Sequence, residues 1–266
     1  MNGSRPGDRA PVCDGEGSYQ RRLPVGPSSL VCRILEISEI SNSGRRDLFG
    51  LFSKHYDDVD LPRFESDFTA KDFALVLEYQ GRPVGFTTAK LLDFDWRGES
   101  ISVLYSGDTI VDRPFWGQQE LARTWLAQIG RLARQQPGRR MVWFLIVKGH
   151  RTYRYLPVFA REFVPTSETA DPGELSELRD AIATTMFGSK FDPASGTVQF
   201  ATPQGRLRAE FAEPTPRELK LPGVGYFLSA NPGFREGDEL ACLCELSPDN
   251  MRPKARRWFD EGWNDG

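Results

Sequence analysis

The residues best suited to chemistry lie in two stretches of the 266-residue chain. In the first, Ile101-Ser-Val-Leu-Tyr105 and Thr109-Ile-Val111 are β-favouring runs interrupted by Ser106-Gly107-Asp108, which predicts a bulge or a close backbone approach. Asp108 there could orient or deprotonate a substrate amine, although Ser-Gly-Asp is also ordinary turn chemistry. The second stretch begins where the apolar run Met141–Val147 ends in Lys148-Gly149-His150. An imidazole with an unperturbed pKa of about 6.5 suits a general base for an amine or hydroxyl nucleophile; a helix-capping or loop histidine is the plainer alternative. Between the two, Arg113, Gln118 and Arg123 surround a helix start, where backbone N–H groups can hold an anion.

The strand through Val111 leads, past Asp112-Arg113-Pro114, into a helix predicted from near Gly117 to Arg134. Leu121, Ala122, Trp125, Leu126, Ile129, Leu132 and Ala133 recur at steps of three and four, while Gln118, Arg123, Arg131 and Arg134 take the other face. Upstream, Val31–Ile40 reads as a strand, and Ser43–Tyr56 as a helix with Leu48, Leu51 and Phe52 inward. A second short helix carries Phe64 and Phe68. Phe73–Tyr79 and Val84–Leu92 form a hairpin through Gln80-Gly81-Arg82-Pro83. The continuous apolar run Met141–Val147 predicts a strand covered on both faces. Residues 151–163 read as a helix that Pro157 kinks or starts. Downstream come a helix over Gly173–Met186 and a strand over Gly196–Phe200, with Leu207–Phe211 as its candidate partner. Pro222–Ala230 is ambiguous, Asp238–Leu246 is a strand, and Trp258, Phe259 and Trp263 mark a docking helix or a frayed end. Residues 1–29, rich in Gly, Pro, Ser and Arg, predict a disordered leader.

With 39% hydrophobic residues the chain can bury a substantial core, and a net charge of −3 gives no bulk attraction to nucleic acid or anionic membrane. Arg139-Arg140 and Arg252–Arg257 are basic patches without interleaved aromatics, so no nucleic-acid partner is expected. No apolar run is long enough to span a bilayer and no signal peptide is evident, so a cytoplasmic protein is expected. None of the four cysteines has zinc or redox spacing; Cys242 and Cys244 would share one strand face as small hydrophobes. No metal is expected. His55, Asp57, Asp58 and Asp60 have ligand types but read as a charged loop before Leu61-Pro62. Asp93, Asp95 and Glu78 would line a site only if their strands point them inward. No Walker loop, dinucleotide-binding glycine motif or nucleophile elbow is present.

The order strand, helix, helix, three strands, helix, strand, helix, with a late strand to follow, resembles the GNAT superfamily of acyl-CoA-dependent N-acyltransferases over roughly residues 31–165 and the late strand at Leu240. The resemblance implies an α/β (α+β) fold, a mixed, mostly antiparallel central sheet flanked by helices. Residues 30–165 would form the acyltransferase domain, 166–250 an α+β extension completing or covering the sheet, and 251–266 a tail. It further implies that the donor's pantetheine lies in a gap between Val103–Val111 and Val142–Val147, touched by Ile110, Val111, Arg113, Trp116, Gly117, Gln118 and Gln119. His150 or Asp108 would act on the acceptor, and Tyr153 or Tyr155 would protonate the departing thiolate. The phosphate loop departs from the family form Gln/Arg-x-x-Gly-x-Gly/Ala. Aligned on Gly117, it places Trp116, Gln119 and Leu121 at the signature positions, with side chains at 119 and 121 where backbone must approach phosphate closely.

The implied activity is direct transfer of an acyl group from acyl-CoA or a pantetheinylated acyl carrier protein to an amine or hydroxyl of a small molecule or protein, by a chain that could form a homodimer. A non-catalytic GNAT-like module binding a ligand or partner is the alternative. Lys148–Tyr155 together with Asn231–Leu240 resembles bacterial proteins of GNAT-like type.

Overall fold

The computed structural model describes residues 30–167, 173–202 and 204–265, so the leader expected over residues 1–29 lies outside the described residues. Its centre is an eight-stranded mixed sheet, built from β1 (Leu30–Glu36), β3 (Phe73–Tyr79), β4 (Arg82–Trp96), β5 (Glu99–Val111), β6 (Met141–Val147), β7 (Phe191–Asp192), β8 (Thr197–Val198) and β10 (Glu239–Glu245). Their spatial order is β1-β3-β4-β5-β6-β10-β8-β7. Every neighbouring pair is antiparallel except β5 and β6, which run parallel.

Both faces of the sheet are apolar, and both are covered. In β3, Phe73 and Leu75 enter one core while Ala74 and Val76 enter another, as the two-residue period of a strand requires. On the first face lie α3 (Glu120–Gln135), α5 (Tyr155–Phe159), α8 (Val224–Ala230) and α9 (Pro253–Asn264). On the second lie α1 (Asn42–His55), α2 (Leu61–Thr69) and α6 (Gly173–Phe187). The starts of α1 and α2 are written locally: Ser41 Oγ accepts from the Gly44 amide, Asp60 accepts from the Arg63 amide, and Pro62 occupies the first turn of α2.

The C-terminal residues are integral to the core. Strand β10 pairs with β6 from Leu240–Val147 to Glu245–Val142, an interior position in the sheet. Helix α9 buries Trp258 and Phe259 against α3, each worth about 1.5–3 kcal/mol of apolar burial. The two helices meet backbone to backbone: a Cβ on Gly130 would overlap the Phe259 carbonyl, and one on Gly262 would overlap that of Ala127.

Three local expectations are corrected. The helix after β5 starts at Glu120, because Gly117 adopts a left-handed φ of +87° behind a 3-10 turn over Arg113–Phe115. Helix 151–163 is broken at Arg154 into α4 (His150–Tyr153) and α5, and it stops at Phe159, after which Ala160 bridges to Met251. Leu207 does not pair with residues 196–200. Instead β9 (Arg206–Leu207) pairs with β2 (Tyr56–Asp57), and Ala209–Ala212 is a helical turn, α7. Opposite charges fix that join, with Arg206 2.9 Å from Asp58 and Arg208 3.3 Å from Asp57. Among the described residues no helix is long and apolar enough to cross a membrane.

Candidate active site

The parallel pair β5–β6 runs from Ser102–Met141 to Ser106–Leu145, and beyond it the strands part. On the other side of β5, Ala89 of β4 pairs with Ser106 and Thr87 with Thr109, so Gly107 and Asp108 together oppose Thr88. This is a bulge, and it takes both residues out of the ladder at the point of divergence. Glycine at 107 lets Thr88 and Lys71 approach closely, because a Cβ there would fall 2.5 Å from Thr88 Oγ1 and 2.9 Å from Lys71 Cε and force those side chains to shift. A parallel pair that splays beside a bulged strand, with a helix starting just past that strand's end, is the arrangement the strand order implied. The fold is GNAT-like.

Two cavities open on opposite faces of the sheet at this splay and share Tyr56, Thr109, Gly149 and Thr152. The smaller, of about 330 Å³, lies between α2 and α6. Asp108 faces it and makes no hydrogen bond or ion pair among the described residues; burial, with the nearby Asp67 carboxylate, pushes it up to about 6. Beside it β10 supplies Glu239, which burial pushes up to about 7 against the pull of Lys148, whose Nζ is 3.2 Å away. Lys148 Nζ also donates to the Gln204 carbonyl at 3.1 Å. Where the cavities meet, the Tyr56 hydroxyl has no hydrogen-bond partner among the described residues, and burial raises its pKa.

The larger cavity, of about 590 Å³, is walled by the start of α3, by α5 and α9, and by the strap formed by β9 and α7. Trp116 Nε1 donates to the Val111 carbonyl at 2.7 Å, which holds the indole against the strand end. Arg151 lies 4.6 Å over that ring and makes a two-pronged pair with Glu218 at 2.8 and 2.9 Å. Phe211 of the strap packs 6.2 Å from Trp116 and 4.5 Å from His55. Tyr155, its pKa raised by burial, stands where this cavity narrows into a branch of about 30 Å³ beside Trp125 and Trp143.

The structure therefore brings Ile110, Val111, Trp116, Gly117, Gln118, Gln119 and Tyr155 to the larger cavity and Asp108 to the smaller. Arg113 is exposed, 5.7 Å over the Trp116 ring. The expectations for His150 and Tyr153 are corrected. His150 is fully buried and lines neither cavity; its Nε2 is 3.5 Å from Glu218, and burial together with Arg151 lowers its pKa. A base must reach the proton that it removes. Tyr153 packs against Tyr226 and Phe227 and donates its hydroxyl hydrogen to the Pro165 carbonyl at 2.8 Å.

Other candidates serve the framework. Arg123 pairs with Glu261 at 2.7 Å, Asp93 with Arg139 at 2.5 Å and Glu78 with Arg33 at 3.0 Å, while Asp95 accepts from the Gly98 amide in a turn. His55 also lines the larger cavity, its Nδ1 3.0 Å from the Leu51 carbonyl and its Nε2 3.7 Å from Asp112, while Asp57, Asp58 and Asp60 serve the strap pairings and the α2 cap.

Part of the phosphate loop is closed to a CoA pyrophosphate. The amides of Phe115, Trp116 and Gln118 are already bonded to the carbonyls of Asp112, Arg113 and Phe115. Glu120 puts a carboxylate in the first turn of α3, where it opposes a phosphate, and Leu121 is buried in the core. The larger cavity fits a pantetheine-sized arm. The amides of Gly117 and of residues 119–122 make no hydrogen bond among the described residues and stay open at the start of α3, with Arg154 and Lys254 on the cavity wall and Arg113 beside Trp116.

Tyr56, Lys148, Thr152 and Glu239 were not singled out from sequence. The available signal was that Lys148 and Glu239, opposite in charge, each stand at the end of an apolar strand run.

No protein-family model matches the chain, and no curated relative matches it either. Among solved structures it is similar to the GNAT family N-acetyltransferase YhbS from Escherichia coli in complex with CoA, at 15% identity over 57% of this chain and 72% of that one, TM-score 0.37. It is also similar to glucosamine-6-phosphate N-acetyltransferase from Arabidopsis thaliana, at 17% identity over 54% and 99%, TM-score 0.36. With a conserved protein from Enterococcus faecalis V583 the identity is 13% over 50% of this chain, TM-score 0.38, and the chain spans 33% of that protein's length.

Proposed function

We propose that the protein is an acyltransferase that moves an acyl group from a pantetheine thioester, carried by CoA or by a carrier protein, to an amine or hydroxyl acceptor by direct attack. The observation that supports this reading is the junction at the splay. One cavity suited to a thioester arm meets a second cavity holding an unpaired carboxylate, through Tyr56, Thr109, Gly149 and Thr152. In this reading reactants delivered from opposite faces meet at those shared residues, and positioning of that kind can supply much of the rate enhancement of a two-substrate reaction.

In this reading the larger cavity is the donor cavity and the smaller the acceptor cavity. Asp108 takes the proton of the attacking nucleophile, the carbon–sulfur bond breaks, and the thiolate receives a proton from Tyr155, which lines the donor cavity. A carboxyl pushed up to about 6 is ionised at neutral pH and is a stronger base than an ordinary aspartate. Three amides of the phosphate loop are engaged and Glu120 stands in the first turn of α3, which favours a donor whose affinity comes largely from its pantetheine arm and, for a carrier protein, from surface contacts.

The test is thiol release from a panel of acyl-CoAs and a pantetheinylated carrier protein, each offered with amines and alcohols. Release that Asp108→Asn removes is expected. Tight ligand binding with no release from any pair would favour the non-catalytic reading instead.

A further inference from the structure

Charge pairing inside the acceptor cavity points to what it holds. Four carboxylates line it, and three have a cation: Asp60 lies 3.8 Å from Arg63, Asp67 lies 2.6 Å from Lys71, and Glu239 lies 3.2 Å from Lys148. Asp108 has none. The lining cations give the reverse picture. Arg63 and Lys148 are engaged, whereas Lys190 makes no ion pair among the described residues and lies 5.3 Å over the Phe200 ring. One carboxylate on the β5 bulge and one ammonium in the exposed 3-10 turn Gly188–Lys190 that follows α6 are left over, and both line the same cavity.

Aromatic and other apolar side chains share the lining of this cavity with the charged ones. Phe64, Tyr105, Met186, Phe187 and Phe200 line it, and its volume of about 330 Å³ suits a small molecule rather than a folded partner. An unpaired carboxylate away from bulk water is costly, and a ligand that brings the missing charge recovers that cost on binding. A lone amine would match Asp108 and leave Lys190 unmatched; a polyamine would meet Lys190 with repulsion.

Building on the transferase reading, we infer that the acceptor is a small zwitterion of the amino-acid class with an apolar side chain, its ammonium set at Asp108 and its carboxylate at Lys190. The proton balance closes on this chain's residues. The ammonium gives one proton to Asp108, and the freed amine attacks the thioester carbonyl carbon. The carbon–sulfur bond breaks as the amide forms, the second proton of the nitrogen is matched by protonation of the thiolate, and Asp108 returns its proton to solvent.

Calorimetric titration of the full-length protein with matched pairs tests this: L-phenylalanine against phenethylamine, and L-leucine against 3-methylbutylamine. The amino acid of each pair is expected to bind about three- to fivefold tighter than its decarboxylated partner, the range of an exposed ion pair. Lys190→Ala should erase that difference and Lys190→Arg should restore it, while Asp108→Asn weakens both members. Equal binding within the pairs, no binding of either member, or a preference that survives Lys190→Ala would overturn the assignment. Thiol release from acetyl-CoA in the same samples reports separately on the transferase reading: zwitterion binding without release leaves the assignment standing and removes the transferase.

Discussion

The two cavities at the splay share four residues and differ in how their charges are settled. In the donor cavity Arg151 is already committed to Glu218 and lies over Trp116, so the wall is aromatic and its nearest cation is spoken for. In the acceptor cavity Asp108 has no partner of its own. On the transferase reading this contrast is a division of labour: one side shields a long, largely uncharged arm, and the other receives a cation whose proton must be removed.

The sharpest way to break this contrast is Asp108→Asn. On the transferase reading kcat/KM should fall by about a hundred- to ten-thousandfold. In the parent protein the rate should rise with pH through about 6 and then level, the limb of a base that works only when ionised. A raised carboxyl contributes stability that is complete below its unfolded value near 3.8 and is lost as pH rises through about 6. The asparagine variant should therefore melt higher than the parent at pH 8 and show little advantage at pH 4, by calorimetry. A variant that is less stable at pH 8 would contradict the unpaired carboxylate.

On the donor side Trp116→Ala removes the ring under Arg151 and should raise KM for the thioester about tenfold with a smaller change in kcat. The two tyrosines give a finer contrast. Tyr155→Phe should lower kcat about tenfold, because its ring lines the donor cavity. Tyr153→Phe should leave kcat alone and cost about 1–2 kcal/mol of stability in denaturant titration, by stranding the Pro165 carbonyl. Equal effects on kcat would remove the distinction between them. The smallest expected effect is on donor truncation: acyl-pantetheine should bind within about fivefold of acyl-CoA, since exposed side chains meet the phosphates. A much larger loss would mean that the α3 terminus grips phosphate after all.

Much of this was legible before any coordinates. The Ser-Gly-Asp interruption did mark a bulge, the stripe from Leu121 to Ile129 did face the core, and Met141–Val147 is buried on both sides. These are short-range patterns, set by periods of 2 and 3.6 residues. What was illegible depends on distant register. Nothing near Leu207 says that it pairs with Tyr56, and nothing near Glu239 says that it will face Asp108's cavity. Tyr153 and Tyr155 are two residues apart and equally plausible on paper; the break at Arg154 sends one into the core and the other to the cavity.

Strand β10 has a consequence for the order of events on the ribosome. It lies between β6 and β8 and begins with Glu239, so both the sheet and the smaller cavity stay incomplete until residues 239–245 have been made. The nascent chain must hold β6 with one edge open while residues 148–238 emerge. Contacts so distant in sequence slow folding and leave a hydrophobic edge exposed during the wait.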